Sequence, residues 1–282
     1  MPVMADPGIQ GTGPDALAVQ NVPCRSPRGY PGRRMVVPIP DTAAASSHDF
    51  WQDFLRADAP VLTAPSYQAG YPARLADGRH LLLPIRVLPG DGTRAVASLI
   101  TNQASFRVLD AIADVLTAQV AQFGAEVVIG VPTLGLPLAE GVARRLGHPR
   151  MVALSTSRKF WYDEGLSEPL ASITSPQQGK RVYLDPRSLA LLDGRRTLLV
   201  DDVLSTGTSL SAVLRLLVKA GRPPAAIGAA MTQTQAWRAV LGRVDSRWPA
   251  VVRAAMSTPL LVPHEDGGWR PDLPTADVVC TE

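Results

Sequence analysis

The chain has 282 residues, 46% of them hydrophobic and 5% aromatic, with a net charge of only +3. That balance suits a globular core of one large domain or two small ones, and it argues against a wholly disordered chain. Charge is spread without like-charge blocks or basic-aromatic interleaving, and no apolar run approaches the ~20 residues of a membrane span, so neither nucleic acid nor a membrane is an expected partner.

Cys24 and Cys280 sit near opposite ends of the chain, and the histidines are scattered at 48, 80, 148 and 264. Neither pattern resembles a disulfide framework or a metal cluster. No basic-then-apolar leader opens the sequence, so the expected compartment is the cytoplasm. Residues 1–45 are rich in Gly, Pro, Ala and Ser and show little periodicity, which predicts a disordered segment. Residues 46–104 predict a short helix over His48–Ala57, with Ser46 or Ser47 as cap, followed by a small accessory lobe of strands. Tyr71–Arg86 reads as a hairpin about Asp77-Gly78, and Asp91-Gly92 as a second turn before Arg94–Ile100. Pro84 places its strand at an edge.

From 105 to 255 strands and helices alternate. Ser105–Phe123 carries apolar residues at helical spacing and stops at Gly124; Glu126–Val131 is a buried strand; Pro137–Leu146 is a helix; Arg150–Ser155 is a strand. Thr156–Lys180 breaks the pattern and has the length of a lid loop. Strands at Arg181–Leu184, Arg196–Asp201, Ala226–Met231 and Ala250–Ala255 follow, with helices at Leu210–Ala220 and Gln233–Leu241. Alternation of this kind predicts an α/β fold with an open, mainly parallel sheet flanked by helices. Residues 256–282 add a short apolar strand, Pro259–Val262, and a tail.

The most informative stretch is Thr197–Ser209. An apolar run ends in Asp201-Asp202, two apolar residues follow, and Ser205-Thr206-Gly207-Thr208-Ser209 leads into a helix. Small residues leave backbone N–H groups bare, and the helix aims its positive end forward, which suits a phosphate. The carboxylates repel phosphate and suit sugar hydroxyls, or a divalent metal reached through water. A buried strand ending in an ordinary cap at Ser205 or Thr206 is the plainer reading. A P-loop would need Gly-x-x-x-x-Gly-Lys-Ser/Thr upstream, which is missing. A receiver domain would carry its acid pair early.

All thirteen positions resemble the motif with which type I phosphoribosyltransferases bind 5-phosphoribosyl 1-pyrophosphate (PRPP). The resemblance implies that fold, with a small hood lobe over the strand ends. It gives Asp201 and Asp202 the ribose hydroxyls and Mg2+ through water, and residues Ser205, Thr206, Gly207, Thr208 and Ser209 the 5-phosphate. The corresponding early loop, here Thr133, Leu134 and Gly135, would hold the pyrophosphate through backbone amides. Many members place a cation in that loop and this chain has none, so a plain strand-to-helix turn stays open there. Arg158 and Lys159, in the long irregular segment beside Phe160, Trp161 and Tyr162, would close as a lid and act as catalytic cations on the leaving group. A solvated surface pair is the alternative. Trp237 and Trp269 are candidates for stacking on a planar base, and equally candidates for packing.

The resemblance therefore implies a Mg2+-dependent transfer of 5-phosphoribosyl from PRPP to a nitrogen nucleophile, with pyrophosphate released. A purine-type nucleobase is the preferred acceptor. The competing expectation is a non-catalytic regulator that keeps the pocket as a sensor of PRPP or a nucleotide. The family admits a homodimer, for which no residue here marks an interface.

Overall fold

The computed structural model describes residues 49–170 and 180–272. The expected disordered segment 1–45, the caps Ser46 and Ser47, and the end of the tail lie outside the described residues. In chain order the strands and helices are β1 (Gly70–Arg74), β2 (His80–Val87), β3 (Ala95–Ala97), α1 (Phe106–Val120), β4 (Val127–Gly130), α2 (Gly135–Arg145), β5 (Val152–Ala153), β6 (Ser167–Pro169), β7 (Arg181–Tyr183), α3 (Leu189–Leu192), β8 (Thr197–Leu204), α4 (Thr208–Lys219), β9 (Ala226–Gln233), α5 (Ala236–Val244), β10 (Val252–Thr258), β11 (Leu260–Pro263) and β12 (Trp269–Pro271).

Five strands form an entirely parallel sheet in the order β10-β9-β8-β4-β5. Both of its faces are covered, and the strands read as continuous apolar runs for that reason. Alternate residues go to opposite sides. Val128, Leu198 and Val200 join a core with α1 and α2, whereas Val127, Ile129 and Leu199 join a second with α4 and α5. The α1 stripe of Val108, Ile112, Val115 and Leu116 is buried, and Ser105 caps the helix by accepting from the Val108 N–H at 3.2 Å. Phe106, apolar at the same helix start, stands 83% exposed, because two residues before the buried Val108 it lies on the opposite side of the helix from the stripe.

A second, antiparallel sheet has the order β1-β2-β3-β11-β12 and joins the two ends of the described chain. The chain passes from β10 through Pro259 into β11, which pairs with β3 at Leu260↔Val96 and Leu261↔Ala95. Two expectations fail here. Asp49–Ala57 forms turns instead of a helix, and Phe54 bridges to Leu81. Pro84 lies in an interior strand, not at an edge. The Ser98 N–H donates to the Pro84 carbonyl at 2.9 Å, and the carbonyl of Ser98, which an N–H at position 84 would meet, accepts from Trp51 Nε1 at 3.0 Å. An indole replaces the missing backbone donor.

Within the long irregular segment, β6 and β7 pair antiparallel as a two-stranded sheet. Lys219 on α4 donates to the Ser167 carbonyl and pairs with Glu168, both at under 3 Å, which ties β6 to the helix behind the Thr206–Ser209 turn.

Candidate active site

The carboxyl end of β8 lies where its two neighbours part company. β4 stays paired only to Gly130↔Val200, whereas β9 continues to Leu204↔Thr232. Strand β8 runs three residues beyond the expected strand Arg196–Asp201, and Asp201 and Asp202 sit on strand beside an opened edge. Such a parting in a parallel sheet is where ligands bind.

The turn after β4 fills the gap. Thr133 and Leu134 lead into α2, and the Pro132–Thr133 peptide bond is cis. Gly135 packs directly on β8: a Cβ there would stand 2.9 Å from Asp201 Cα and 3.0 Å from Asp201 Oδ1. Only a residue without a side chain lets the helix start come this close. A cavity of about 250 Å3 results, lined by Pro132, Thr133, Leu134, Asp201, Asp202 and Ser209 together with Leu170 and Val182 of the β6–β7 hairpin. Acid pair and early loop thus share one space with Ser209 in the first turn of α4, whereas Ser205, Thr206, Gly207 and Thr208 do not line it.

Asp201 is 9% exposed, and its Oδ1 accepts from the Asp202 N–H at 2.9 Å. Burial, and then the charge of Asp202, hold its carboxyl well above the usual carboxylate range; burial also raises Asp202. These two adjacent acids, one buried and one half-buried, have no cation among the groups that shift them. Hard oxygen donors in that condition fit Mg2+, which keeps waters and takes few protein carboxylates. Among the described residues no group of three or more His, Cys, Asp or Glu side chains could hold a metal by itself.

Helix α4 opens at Gly207, whose φ of +82° is left-handed. A Cβ on Gly207 would stand 3.2 Å from Trp237 Cα and Cβ, so glycine is required both by conformation and by space. Gly207 offers no side chain as a cap, the first turn holds no acid, and only a long 3.4 Å bond from the Thr208 N–H to Thr206 Oγ1 engages the helix start, which leaves most of its positive end available to an anion. The hydroxyls of Thr206 and Thr208 lie 3.1 Å apart across the turn. Ser205 Oγ donates to Gln233 Oε1 at 2.7 Å, so its hydroxyl proton is directed into the protein.

The other sequence candidates lie apart from this cavity. Arg158 pairs with Glu164 at 2.8 Å, and Lys159 is exposed in the adjoining turn; neither lines the cavity. Phe160 is 95% exposed and packs edge-on against Trp161, whose indole N–H points to Asp185 at 3.4 Å. Trp237 must be corrected. It is 2% exposed, belongs to the core beneath the Gly207 turn, and lies under the Arg238 guanidinium at 4.6 Å, so no open ring face is left for stacking. Its role is packing. Trp269 is half-buried on the edge strand β12, where its backbone pairs with Tyr67, and it does not line the cavity. Gln233, expected at the start of a helix, instead closes β9, and α5 begins at Ala236. Thr101, unmarked in the sequence, donates to the Leu134 carbonyl at 2.8 Å.

A model described as "phosphoribosyl transferase domain" matches residues 96–240, half of the chain. The chain belongs to that family. Adenine phosphoribosyltransferase of Rhodococcus jostii (strain RHA1) is 34% identical over 134 residues, covering 47% of this chain and 69% of that protein. The transcriptional regulator GfcR of Halobacterium salinarum (strain ATCC 29341 / DSM 671 / R1) is 30% identical over 103 residues, covering 36% of this chain and 42% of the regulator. This phosphoribosyltransferase-family chain thus spans less than half of the regulator's length. Among solved structures, the Giardia lamblia APRTase complexed with 9-deazaadenine superposes with a TM-score of 0.47 at 22% identity, over 61% of this chain and 93% of that one. In the structure described above no helix among the described residues is long and apolar enough to cross a membrane.

Proposed function

We propose that this protein is a Mg2+-dependent phosphoribosyltransferase that moves the 5-phosphoribosyl group of PRPP to a ring nitrogen of a purine-type base. The observation that carries the reading is the close approach of Gly135 to Asp201, which sets the Thr133–Leu134 loop, the acid pair and Ser209 in the first turn of α4 around one cavity. Similarity to proteins named adenine and hypoxanthine/guanine phosphoribosyltransferases supports the purine class.

In this reading the backbone of Thr206–Ser209 and the α4 dipole hold the 5-phosphate. Asp201 and Asp202 accept from the ribose hydroxyls and turn C1 toward the acceptor. The amides at Thr133–Gly135 hold the pyrophosphate. A nitrogen–C1 bond forms as the C1–oxygen bond to pyrophosphate breaks, and the leaving group takes the electron pair. Positive charge grows on the ribose and negative charge on the leaving group, so Arg158 and Lys159 serve by closing on the latter. Mg2+, held through water by the acid pair, supplies further positive charge to the pyrophosphate when bound.

The test is pyrophosphate release from PRPP and Mg2+ across a panel of purines, pyrimidines and small amines. Release with a purine, lost in Asp201→Asn/Asp202→Asn, is the expected result. One observation favours a second reading: the Val131–Gly135 loop has no charged side chain; a relative named as a transcriptional regulator is also 30% identical over 103 residues. PRPP binding without turnover on any acceptor would make the protein a sensor.

A further inference from the structure

Gln233 closes β9, a strand buried along its whole length, and is itself only 7% exposed. A buried carboxamide is costly unless both of its ends are used. Both are. Its Nε2 donates to the Ala97 carbonyl at 2.6 Å, and its Oε1 accepts from Ser205 Oγ at 2.7 Å. The orientation follows from chemistry, because a carbonyl can be met only by the amide nitrogen. Four residues beyond Ala97, Thr101 is fully buried, and its hydroxyl donates to the Leu134 carbonyl at 2.8 Å. One short strap leaving β3, Ala97–Thr101, therefore reaches both loops of the site. It holds the Ser205 turn through Gln233 at one end and the Leu134 turn through Thr101 at the other. The strap is itself fixed by Ser98, whose N–H donates to Pro84 and whose carbonyl accepts from Trp51.

We propose that Gln233 and Thr101 are positioning residues, each setting one of the two phosphate-binding loops against this common strap: Gln233 the loop for the sugar phosphate, Thr101 the loop for pyrophosphate. The inference rests on the proposed reading of the cavity. It also assigns Ser205 a supporting part. With its proton given to Gln233, Ser205 shapes the loop, and donation to the phosphate falls to the amides and to Thr206, Thr208 and Ser209.

The two roles are separable by ligand. Titrations of ribose 5-phosphate and of pyrophosphate with Mg2+ would be run on the wild-type chain, Gln233→Leu, Ser205→Ala and Thr101→Val. Loss of one buried hydrogen bond from a positioning group corresponds to about a five- to tenfold loss of affinity. Gln233→Leu and Ser205→Ala should each weaken ribose 5-phosphate by about that factor and leave pyrophosphate nearly unchanged, and Thr101→Val should do the reverse. The Gln233→Leu/Ser205→Ala double variant should be no worse than Gln233→Leu alone. General damage to the fold would weaken both ligands alike, and that result overturns the assignment, as does no change in any variant. If Gln233→Leu does not fold, Ser205→Ala and Thr101→Val decide the matter by the same split. A wild-type chain that binds neither ligand would sink the reading of the cavity itself, an outcome distinct from failure of the split.

Discussion

The two strand–loop–helix units that meet at the cavity are built from the same parts and keep their charge in different places. In β8–α4 the strand carries two carboxylates within its last four residues and the loop carries hydroxyls. In β4–α2 the strand ends in glycine and the loop is neutral. The first unit holds its chemistry in side chains. The second contributes backbone, and it can do so only because Gly135 allows α2 to begin against Asp201. Under the proposed function, an acid-bearing strand beside a charge-free loop suits one ligand that bridges the two units, with cations brought by a third element.

Removing the charge from the first unit should have the largest effect. Asp201→Asn/Asp202→Asn is expected to lower pyrophosphate release by at least about a hundredfold, through loss of sugar orientation and of transition-state charge balance. Retention of activity in steady-state assays would break the contrast between the units.

Next come the two glycines. Gly207→Ala forces a side chain onto a left-handed residue and against the Trp237 backbone, and Gly135→Ala drives one into Asp201 Cα. Each is expected to cost about 1–3 kcal/mol in denaturant unfolding. They should differ in binding: Gly207→Ala weakens ribose 5-phosphate more, and Gly135→Ala weakens pyrophosphate more.

A smaller effect of opposite sign concerns stability. The Asp201 carboxyl is raised in the folded chain, so the folded state holds its proton after the unfolded chain has released it. Stability is then lost as pH climbs from the unfolded value of 3.8 through the raised folded value. Asp201→Asn removes that loss and keeps an oxygen for the Asp202 N–H. Its melting temperature should equal that of the wild type below pH 3.8 and exceed it at neutral pH by about 2–4 °C, corresponding to ~1 kcal/mol. Identical profiles would mean that the pair is not frustrated.

The smallest structural effect belongs to Arg158→Ala. Its exposed pair with Glu164 contributes under about 1 kcal/mol, so the melting temperature should hardly move. A fall of about tenfold or more in kcat with an unchanged fold would supply the cation that the neutral loop lacks. An unchanged kcat would leave Arg158 as a surface pair.

Periodicity and local chemistry decided much about this protein. The strand–helix alternation over 105–255, the α1 stripe and the Asp-Asp-x-x-Ser-Thr-Gly-Thr run are legible because each is a short-range pattern with one physical meaning. Composition could not say that Pro84 sits inside a sheet, since the Trp51 indole that completes its neighbour's hydrogen bonds lies 33 residues away in the chain. Nor could aromatic identity separate a stacking surface from the core, and Trp237 belongs to the core because Gly207 sits on it. The meeting of Gly135 with Asp201, and the strap from Ala97 to Thr101 that reaches both loops, are contacts between residues 66, 136 and 33 positions apart. No local pattern encodes such distances. They exist only once the parallel sheet has brought its strand ends to one side.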